Sequence, residues 1–384
     1  MIFSNKYIDY TTKSKRELYE TLLLFKLLSN SRLVYIGKHL LKLAIKIQLP
    51  ISGLIKKTIF KHFCGGEDSI ESQKKIKELG KHNIKTILDY SVEGQENADD
   101  LEKVYLEIIN NLGIAKKNPL IPFCVFKLTG IARFELLKKM NKKTPLTTHE
   151  KSEVIKLKKR LNKICAKAKE LNKPILIDAE ESWIQTAIDE LVEELMVKFN
   201  KKNVIVYNTI QFYRWDKLKY MQKLHETAKK QNFKIGLKIV RGAYMEKERL
   251  RARKKNYKSP IHKNKFACDR DFNEASKYCL DNIDTISVCF GTHNEQSTQY
   301  ILKYMQKLNI KNNDQRVYFS QLLGMSDNIS FYLAHFNYNI AKYVPYGPVK
   351  DVVPYLIRRA EENSSIESQT HAEIKRIKQA INNN

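Results

Sequence analysis

The spacing of apolar residues along the chain changes near residue 84. Upstream of it, apolar residues recur three or four positions apart, as in Leu18, Leu22, Phe25 and Leu28. Residues 33–49 alternate apolar pairs with lysines on a 3.6-residue period, which is the pattern of an amphipathic helix. We therefore predict an N-terminal helical arm over residues 1–80, with a turn at 64–67 near its end.

Downstream, eight short apolar runs alternate with helical stretches. The runs cover residues 84–89, 121–127, 175–178, 204–211, 235–241, 286–292, 317–321 and 340–343. Strands that alternate with helices predict a parallel sheet, and eight such units fit a closed barrel. We predict an α/β fold with a (βα)8 TIM-type barrel over residues 81–366 and a polar C-terminal tail at 367–384. An open doubly wound sheet is the alternative, but no GxGxxG fingerprint follows any run.

The formal net charge of +27 is the main argument for a nucleic-acid partner or an anionic membrane surface. The lysines are spread from Lys6 to Lys378, which indicates a compositional bias and not a dedicated basic block. The densest basic run, residues 246–265, contains one aromatic residue, Tyr257, and therefore lacks a pattern for stacking on bases. We predict no nucleic-acid partner and keep a basic nucleic-acid-binding protein as the alternative from another class.

The cysteines and the N-terminal residues indicate in which cellular compartment the protein is located. The six cysteines show no CxxC spacing and no paired framework, which predicts reduced thiols in a cytosol-like compartment. No apolar run reaches the length of a membrane span. The early acidic residues Asp9, Glu17 and Glu20 are typical neither of a signal peptide nor of a transit peptide. These observations favour a cytoplasmic protein.

Charged and polar residues end several of the predicted strands, which is where barrel enzymes place their chemistry. Lys127 ends the second run and Asp178 ends the third. Because a buried carboxylate needs a partner, we expect a Lys–Asp pair at the barrel mouth. Gln211 ends the fourth run, and its amide, which both donates and accepts, suits a flavin or a nucleobase edge. A satisfied polar residue at a strand end is the simpler alternative in each case.

The fifth and sixth runs carry a second group of candidates. Lys238 and Arg241 place two cations on one strand. Gly242 allows close approach of the backbone and Tyr244 follows it, so the stretch favours binding of an anion and a ring. The sixth run ends with Thr-His-Asn at 292–294. Its histidine has no second ligand at metal-binding spacing, and no metal site is predicted.

Two adjacent arginines follow a Pro/Gly turn near the C-terminus. Glu362 stands at i+4 from Arg358 and at i+3 from Arg359, so on a helix its carboxylate is within reach of either guanidinium. Pro348 or Pro354 would suit the first turn of that helix. Two oriented guanidiniums offer the planar donors that a small carboxylate ligand needs. A solvated helix face with an ordinary ion pair is the alternative.

Four stretches together resemble the proline dehydrogenase family, in particular its monofunctional and mitochondrial branch. They are ILIDAEE at 175–181, GLKIVRGAYMEKE at 236–248, YFSQLLGM at 318–325 and YVPYGPVKDVVPYLIRRAEEN at 343–363. The resemblance runs in order from residue 84 to residue 366. It implies a barrel that holds FAD non-covalently and oxidises L-proline to Δ1-pyrroline-5-carboxylate, with a membrane quinone as electron acceptor.

The resemblance also implies roles for individual residues. The two arginines would hold the substrate carboxylate with Glu362 in support, Lys127 would add a cation, and Asp178 would pair with an arginine. Tyr343 and Leu322 would pack against the proline ring. The positions expected at the substrate are Lys127, Asp178, Tyr244, Leu322, Tyr343, Arg358, Arg359 and Glu362. The positions expected at the flavin are Gln211, Lys238, Arg241, Gly242, Ala243, Thr292, His293 and Asn294.

Two questions stay open within the family. A 4-hydroxyproline dehydrogenase is the alternative, although Tyr343 favours proline, because the hydroxyproline branch tends to have a smaller residue at the matching position. Access to a quinone would require peripheral contact at the inner face of a membrane, with the helix at 33–49 as the candidate contact. No residue stands out as a base for the substrate amine, so water is expected to serve.

Overall fold

Eight parallel strands pair in chain order and close into a barrel, which confirms the predicted fold. The computed structural model describes residue 3 and residues 14–47, 49, 51–92, 94–365 and 367–383. Most of the predicted arm upstream of residue 14, including Asp9, lies outside these ranges. The strands are β1 (Lys85–Tyr90), β2 (Phe123–Lys127), β3 (Ile175–Asp178), β4 (Val206–Gln211), β5 (Ile235–Val240), β6 (Ile286–Gly291), β7 (Val317–Leu322) and β8 (Ile340–Tyr346).

The helices fall into an N-terminal group, a set that alternates with the strands, and a C-terminal pair. The N-terminal group is α1 (Lys15–Leu28), α2 (Ser31–Lys46), α3 (Ser52–Ile55), a π-helical segment (Lys56–Phe60), α4 (Lys61–Phe63) and α5 (Ser72–Gly80). The alternating set is α6 (Ala98–Lys117), α7 (Phe134–Lys142), α8 (Thr148–Leu171), α9 (Ser182–Phe199), α10 (Lys217–Gln231), α11 (Met245–Lys255), α12 (Lys265–Asp281), α13 (Glu295–Lys307) and α14 (Asp327–His335). The C-terminal pair is α15 (Val349–Ser365) and α16 (Glu367–Asn383).

All eight predicted runs are strands, and their ends differ from the prediction by at most three residues. The largest difference is at β8, which continues through Pro345 to Tyr346 and pairs with β1 along its length. The Pro345 carbonyl accepts a hydrogen bond from Gly65 N at 2.8 Å. A side chain at residue 65 would collide with Val344, so this approach requires glycine. The turn at 64–67 therefore ties the arm to the last strand.

The barrel interior is filled by side chains from the inner faces of the strands. Phe123 packs edge-on against Tyr207 and Tyr318, with ring centroids 5.3 and 4.8 Å apart. Ile87, Leu176 and other apolar residues complete this layer. A larger apolar layer lies between the strands and the surrounding helices. The barrel interior is therefore filled with side chains below the C-terminal ends of the strands. The charged and polar candidate residues lie at those ends.

The structure divides the chain differently from the sequence analysis at both ends. Helix α5, which was assigned to the arm, buries Ile76 and Leu79 in the main core of the barrel. The segment after residue 366, expected as a polar tail, forms α16, which buries Ile374 and Ile377 against α1. Its apolar residues stand at helical spacing but are few, which is why the composition suggested a tail.

Helices α2 and α3 pack on α15. Leu28 and Val34 share an apolar cluster with Val353 and Leu356 of that helix. Lys38 of α2 also forms an ion pair with Glu361 at 2.5 Å. Among the residues that the structure describes, no helix is both long and apolar enough to cross a membrane.

Candidate active site

A buried charge cluster at the barrel mouth is centred on Asp178, the last residue of β3. Lys238 of β5 donates to Asp178 Oδ1, and the Tyr343 hydroxyl of β8 donates to Oδ2 at 2.5 Å. Lys127 Nζ lies 3.6 Å from the same Oδ2. Lys127 and Asp178 are register partners on adjacent parallel strands, which places both side chains on one face. The expected Lys–Asp pair is present.

The cluster keeps its groups in defined protonation states. Burial alone would raise the pKa of Asp178, but the ammonium groups of Lys238 and Lys127 and the Tyr343 hydroxyl hold it below its usual range. Burial and the adjacent Asp178 charge raise the pKa of Tyr343 well above its usual value. The carboxylate is therefore ionised and the phenol protonated at neutral pH. We expected Asp178 to pair with an arginine, but the cations in contact with it are the lysines Lys127 and Lys238.

Asp89 belongs to the same cluster and was not a predicted site residue. It lies on β1 and is 1% exposed, with its Oδ2 accepting a hydrogen bond from Ser91. Lys127 Nζ stands between the two carboxylates, 3.9 Å from Asp89 Oδ2 and 3.6 Å from Asp178 Oδ2. Two lysines and two aspartates thus balance their charges within the barrel mouth, which lessens the penalty for burying them.

Helix α15 carries the two arginines and covers the mouth from the side. It follows Gly347, whose φ of 144° favours glycine, and Pro348 directly precedes its first residue. Pro354 lies inside the helix. The helix buries Val352, Val353 and other apolar residues against the arm, so its orientation is fixed by packing.

The two arginines have different environments. Arg359 is buried and forms a two-pronged ion pair with Glu362, both contacts at 2.6 Å. Arg358 is half-buried, and its guanidinium carbon lies 5.9 Å from the ring centroid of Tyr244. Glu362 therefore pairs through the i+3 spacing with Arg359. Burial raises the pKa of Glu362, although both arginines oppose that shift.

Two buried donors on α15 lack a protein partner. Among the described residues, Arg359 Nε and the hydroxyl of Tyr355 are buried without a hydrogen-bond partner. The Arg359 guanidinium carbon lies 5.0 Å from the centroid of the Tyr355 ring, so the two side chains are neighbours. Buried donors are almost always satisfied in folded proteins. A bound anion in front of Arg359 would satisfy them.

The predicted cofactor-side residues line the ends of β4, β5 and β6. Gln211 is buried and donates from Nε2 to the Glu180 carbonyl at 2.7 Å. Arg241 makes three contacts, with Asp269 at 2.7 Å and with the hydroxyls of Thr292 and Ser297 at 2.8 Å each. Arg241 is thereby oriented by the neighbouring β6 turn, and a fifth of its side chain stays exposed.

The turn after β6 is held from both sides. Asn294 caps α13 by accepting from Ser297 N, and the Thr292 hydroxyl accepts from Asn294 N at 3.1 Å. His293 Nδ1 lies 3.0 Å from the Ser326 hydroxyl. Burial, together with the charges of Lys342, Arg359 and Arg241, lowers the pKa of His293 to about 3, so the ring is neutral. The two predicted groups of residues adjoin, because Lys238 of the flavin-side group donates to Asp178 of the substrate-side group.

Three predicted residues contribute mainly through shape. Gly242 has a φ of 127°, and a Cβ there would collide with the Tyr213 ring. Ala243 is exposed next to it. Leu322 is the register partner of Tyr343 and lies in the interior apolar cluster with it. Gly242 thus allows close packing of the β5–α11 turn on Tyr213, and Leu322 with Tyr343 gives the mouth an apolar wall.

Beyond Asp89, sequence reasoning missed Tyr355 and Lys342. Tyr355 stands at i−4 from Arg359, a helical spacing that could have identified it. Lys342 is 1% exposed and faces away from the barrel interior. Its Nζ donates to the Met325 carbonyl at 2.5 Å and pairs with Asp327 at 2.8 Å. A single lysine in a strand gives no signal of this loop contact.

A closed parallel barrel whose charged and polar side chains gather at the C-terminal ends of the strands has the arrangement of a barrel enzyme. The family model described as proline dehydrogenase matches residues 72–372. The chain therefore belongs to the proline dehydrogenase family and is an oxidoreductase of that family. The resemblance of its four motifs is thus confirmed.

Individual relatives agree with this assignment. Proline dehydrogenase 1, mitochondrial, of Dictyostelium discoideum is 31% identical over 418 residues, covering 97% of this chain and 73% of the relative. Proline dehydrogenase 2, mitochondrial, of Arabidopsis thaliana is 32% identical, covering 82% and 75%. The crystal structure of proline utilization A from Bdellovibrio bacteriovorus, inactivated by N-propargylglycine, matches with a TM-score of 0.74 at 21% identity. That match covers 97% of this chain but only 40% of the other, and it shows the fold.

Proposed function

We propose that the protein oxidises L-proline to Δ1-pyrroline-5-carboxylate with FAD as its cofactor. The observation that carries the proposal is the pair of unsatisfied buried donors, Arg359 Nε and the Tyr355 hydroxyl, within a proline dehydrogenase family member. A small carboxylate is the ligand that such donors bind best. Residues 81–366 would carry the reaction, and the arm would support α15.

In this proposal the substrate carboxylate lies against α15. Arg358 and Arg359 hold it, Glu362 fixes the direction of Arg359, and Lys127 contributes a further positive charge. Tyr343 and Leu322 form the apolar wall against the ring, and Tyr244 closes the side beneath Arg358. Holding the carboxylate at one end fixes where the ring carbon next to nitrogen lies, and such positioning can supply a large part of the rate enhancement.

The chemistry of the donor set at β4 to β6 fits a flavin. Gln211 offers an amide, Lys238 and Arg241 offer positive charge, and the neutral ring of His293 stands on the adjoining turn. Gly242, Ala243, Thr292 and Asn294 form the rim around these groups. When bound, a flavin supplies a hydride acceptor, and the protein supplies orientation and electrostatics.

The substrate amine has to be neutral before it can give up hydride. Asp178 is not suited to take its proton, because Lys238, Lys127 and the Tyr343 hydroxyl keep the pKa of this carboxylate low. The Tyr343 hydroxyl already donates to Asp178. We therefore assign the proton to solvent. The charge-balanced cluster instead fixes the wall against which the ring rests.

The test is a visible spectrum and a dye-reduction assay on the purified protein. We expect flavin bands, proline-dependent reduction of a soluble dye, and competitive inhibition by tetrahydrofuran-2-carboxylate, which offers the same anion without the amine. Chloride at the same ionic strength controls for a general salt effect. A colourless protein that reduces no dye with added proline and FAD would contradict the proposal.

We further propose that electrons pass to a membrane quinone and that the arm makes the peripheral contact. Large apolar side chains are between 46 and 64% exposed on the first two helices: Tyr19, Leu23, Leu27, Leu33, Tyr35, Ile36 and Leu40. The net charge of +27 complements an anionic surface. We place the protein on the cytoplasmic side of such a membrane, a setting that agrees with six buried, free cysteines.

Paired substitutions test this contact. Leu23→Gln with Leu40→Gln should weaken binding to phosphatidylserine-containing vesicles and leave reduction of a soluble dye unchanged. Ile155→Gln, at a 69% exposed position on α8, is the matched control. Equal vesicle binding by all three proteins would reject the arm as the contact.

A further inference from the structure

The C-terminal helix α16 touches two separate parts of the candidate active site. One of its faces packs on the N-terminal arm, where Ile374, Ile377 and Ile381 are buried against α1. Two of its polar residues, Arg376 and Thr370, reach the turns after β6 and β7 and the end of α15. A solvated tail would make none of these contacts. Their role therefore depends on the turns and the helix that they attach to α16.

Arg376 is the first attachment. Its Nη2 donates to Glu295 Oε1 at 2.6 Å, and its Nη1 donates to Asn328 Oδ1 at 2.9 Å. Asn328 Nδ2 in turn donates to Glu295 Oε1 at 2.8 Å. Glu295 directly follows the 292–294 turn, and Asn328 lies on α14 near Ser326, the partner of His293. Arg376 therefore joins the two turns from outside the barrel.

Thr370 is the second attachment. Its hydroxyl donates to the Asn363 carbonyl at 2.6 Å. Asn363 Nδ2 donates to the Arg359 carbonyl at 2.8 Å, so the contact continues to the backbone of the arginine helix. Thr370 and Asn363 are both buried. This attachment fixes the last turns of α15, independently of Arg376.

We propose that α16 positions both halves of the active site, with Arg376 acting on the flavin-side turn at 292–294 and Thr370 acting on the arginine helix. The inference rests on the proposed function, because it assigns the two attachments to flavin and to substrate. Arg376 and Thr370 are positioning residues, since each acts through another residue. Because the two contacts are separate, their loss should affect different measurable properties.

The first experiment replaces Arg376 in the full-length protein. We expect Arg376→Met to raise the FAD dissociation constant about tenfold to a hundredfold, which corresponds to the loss of charged hydrogen bonds. The proline KM measured at saturating FAD should change far less. Arg376→Lys should restore part of the FAD affinity. Lys378→Met, at an exposed position of the same helix, removes an equal charge and should match the wild type.

The second experiment replaces Thr370 by valine. Valine keeps the shape of the side chain and removes its hydroxyl. We expect a several-fold higher proline KM with an unchanged FAD dissociation constant. A melting temperature lowered in both variants with FAD affinity and KM unchanged would overturn the proposal, as would equal changes of both constants in both variants. A wild-type protein that binds no flavin would instead contradict the proposed function.

Discussion

Replacing Arg358 by methionine is the sharpest test of the arginine helix. Methionine keeps the length and the apolar stem of the side chain but removes the guanidinium. Arg358 is half-buried beside Tyr244, whereas Arg359 is buried and paired with Glu362. Removing Arg359 would leave the Glu362 carboxylate without its two-pronged partner and destabilise the fold by roughly 3–5 kcal/mol. Arg358 is half-buried, so its removal should disturb the fold less than the removal of Arg359.

The expected magnitude depends on exposure. Loss of one partner from a buried charged pair costs about 2–5 kcal/mol. Because Arg358 is half-buried and Arg359 still faces the carboxylate, the lower part of that range applies, about 2–3 kcal/mol. This corresponds to a rise in the proline KM of roughly 30- to 150-fold. Flavin content should stay that of the wild type, since the predicted flavin-side residues lie on β4 to β6 and their adjoining turns and not on α15.

The assay is proline-dependent dye reduction over a wide range of proline concentrations, together with the flavin absorbance of each preparation. Lys350→Met provides the matched control, because Lys350 is an exposed cation on the same helix. Its KM should remain within about twofold of the wild type, as expected for an exposed charge. Equal KM values for the Arg358 and Lys350 variants would refute a role of Arg358 in proline binding. Arg358 would then be an ordinary surface residue of the helix.

Three further outcomes are expected. Tyr343→Ser should raise kcat/KM for trans-4-hydroxyproline relative to kcat/KM for proline, by a factor that corresponds to about 1–3 kcal/mol. An unchanged ratio would show that Tyr343 does not contact the substrate ring. Asp89→Asn should lower the free energy of unfolding in urea by about 1–3 kcal/mol, because Lys127 loses one of its carboxylates, and a change under about 0.5 kcal/mol would contradict that. The pKa of His293 is about 3 in the folded protein, below the ordinary value, so its contribution to stability is present above about pH 6.5 and is lost toward pH 3. The free energy of unfolding of His293→Leu should therefore fall less between pH 7 and pH 4.5 than that of the wild type.

The strand part of the fold could be predicted because each strand overlaps a short apolar run of the sequence. Lys127 and Asp178 end consecutive strands, and parallel pairing makes them neighbours, so their contact can be expected from the pattern. The partner of Asp178 on the other side could not be predicted in the same way. That it is Lys238 depends on the register of β4 and β5, which the sequence leaves undetermined within a residue or two.

The pairing of Glu362 illustrates a second limit of sequence reasoning. Its spacing allows an ion pair with Arg358 or with Arg359. The choice depends on which way the helix faces, and that is decided by Val352, Val353 and Leu356 packing on the arm. The residues of the arm that these side chains contact belong to no motif, so a comparison of motifs does not reveal which way α15 faces.

The arginine helix is therefore held by three separate attachments that lie outside the barrel. The apolar cluster with α2 sets its rotation, the Lys38–Glu361 ion pair adds a polar contact next to Glu362, and Thr370 of α16 fixes its end. A misplacement of about 1 Å in groups that position a substrate can slow catalysis by about a hundredfold. The arm and α16, which look dispensable in the sequence, therefore hold α15 and its two arginines in place. Removal of the arm should damage proline binding as well as any membrane contact, and the two effects are separable only by point substitutions on the exposed face of the arm.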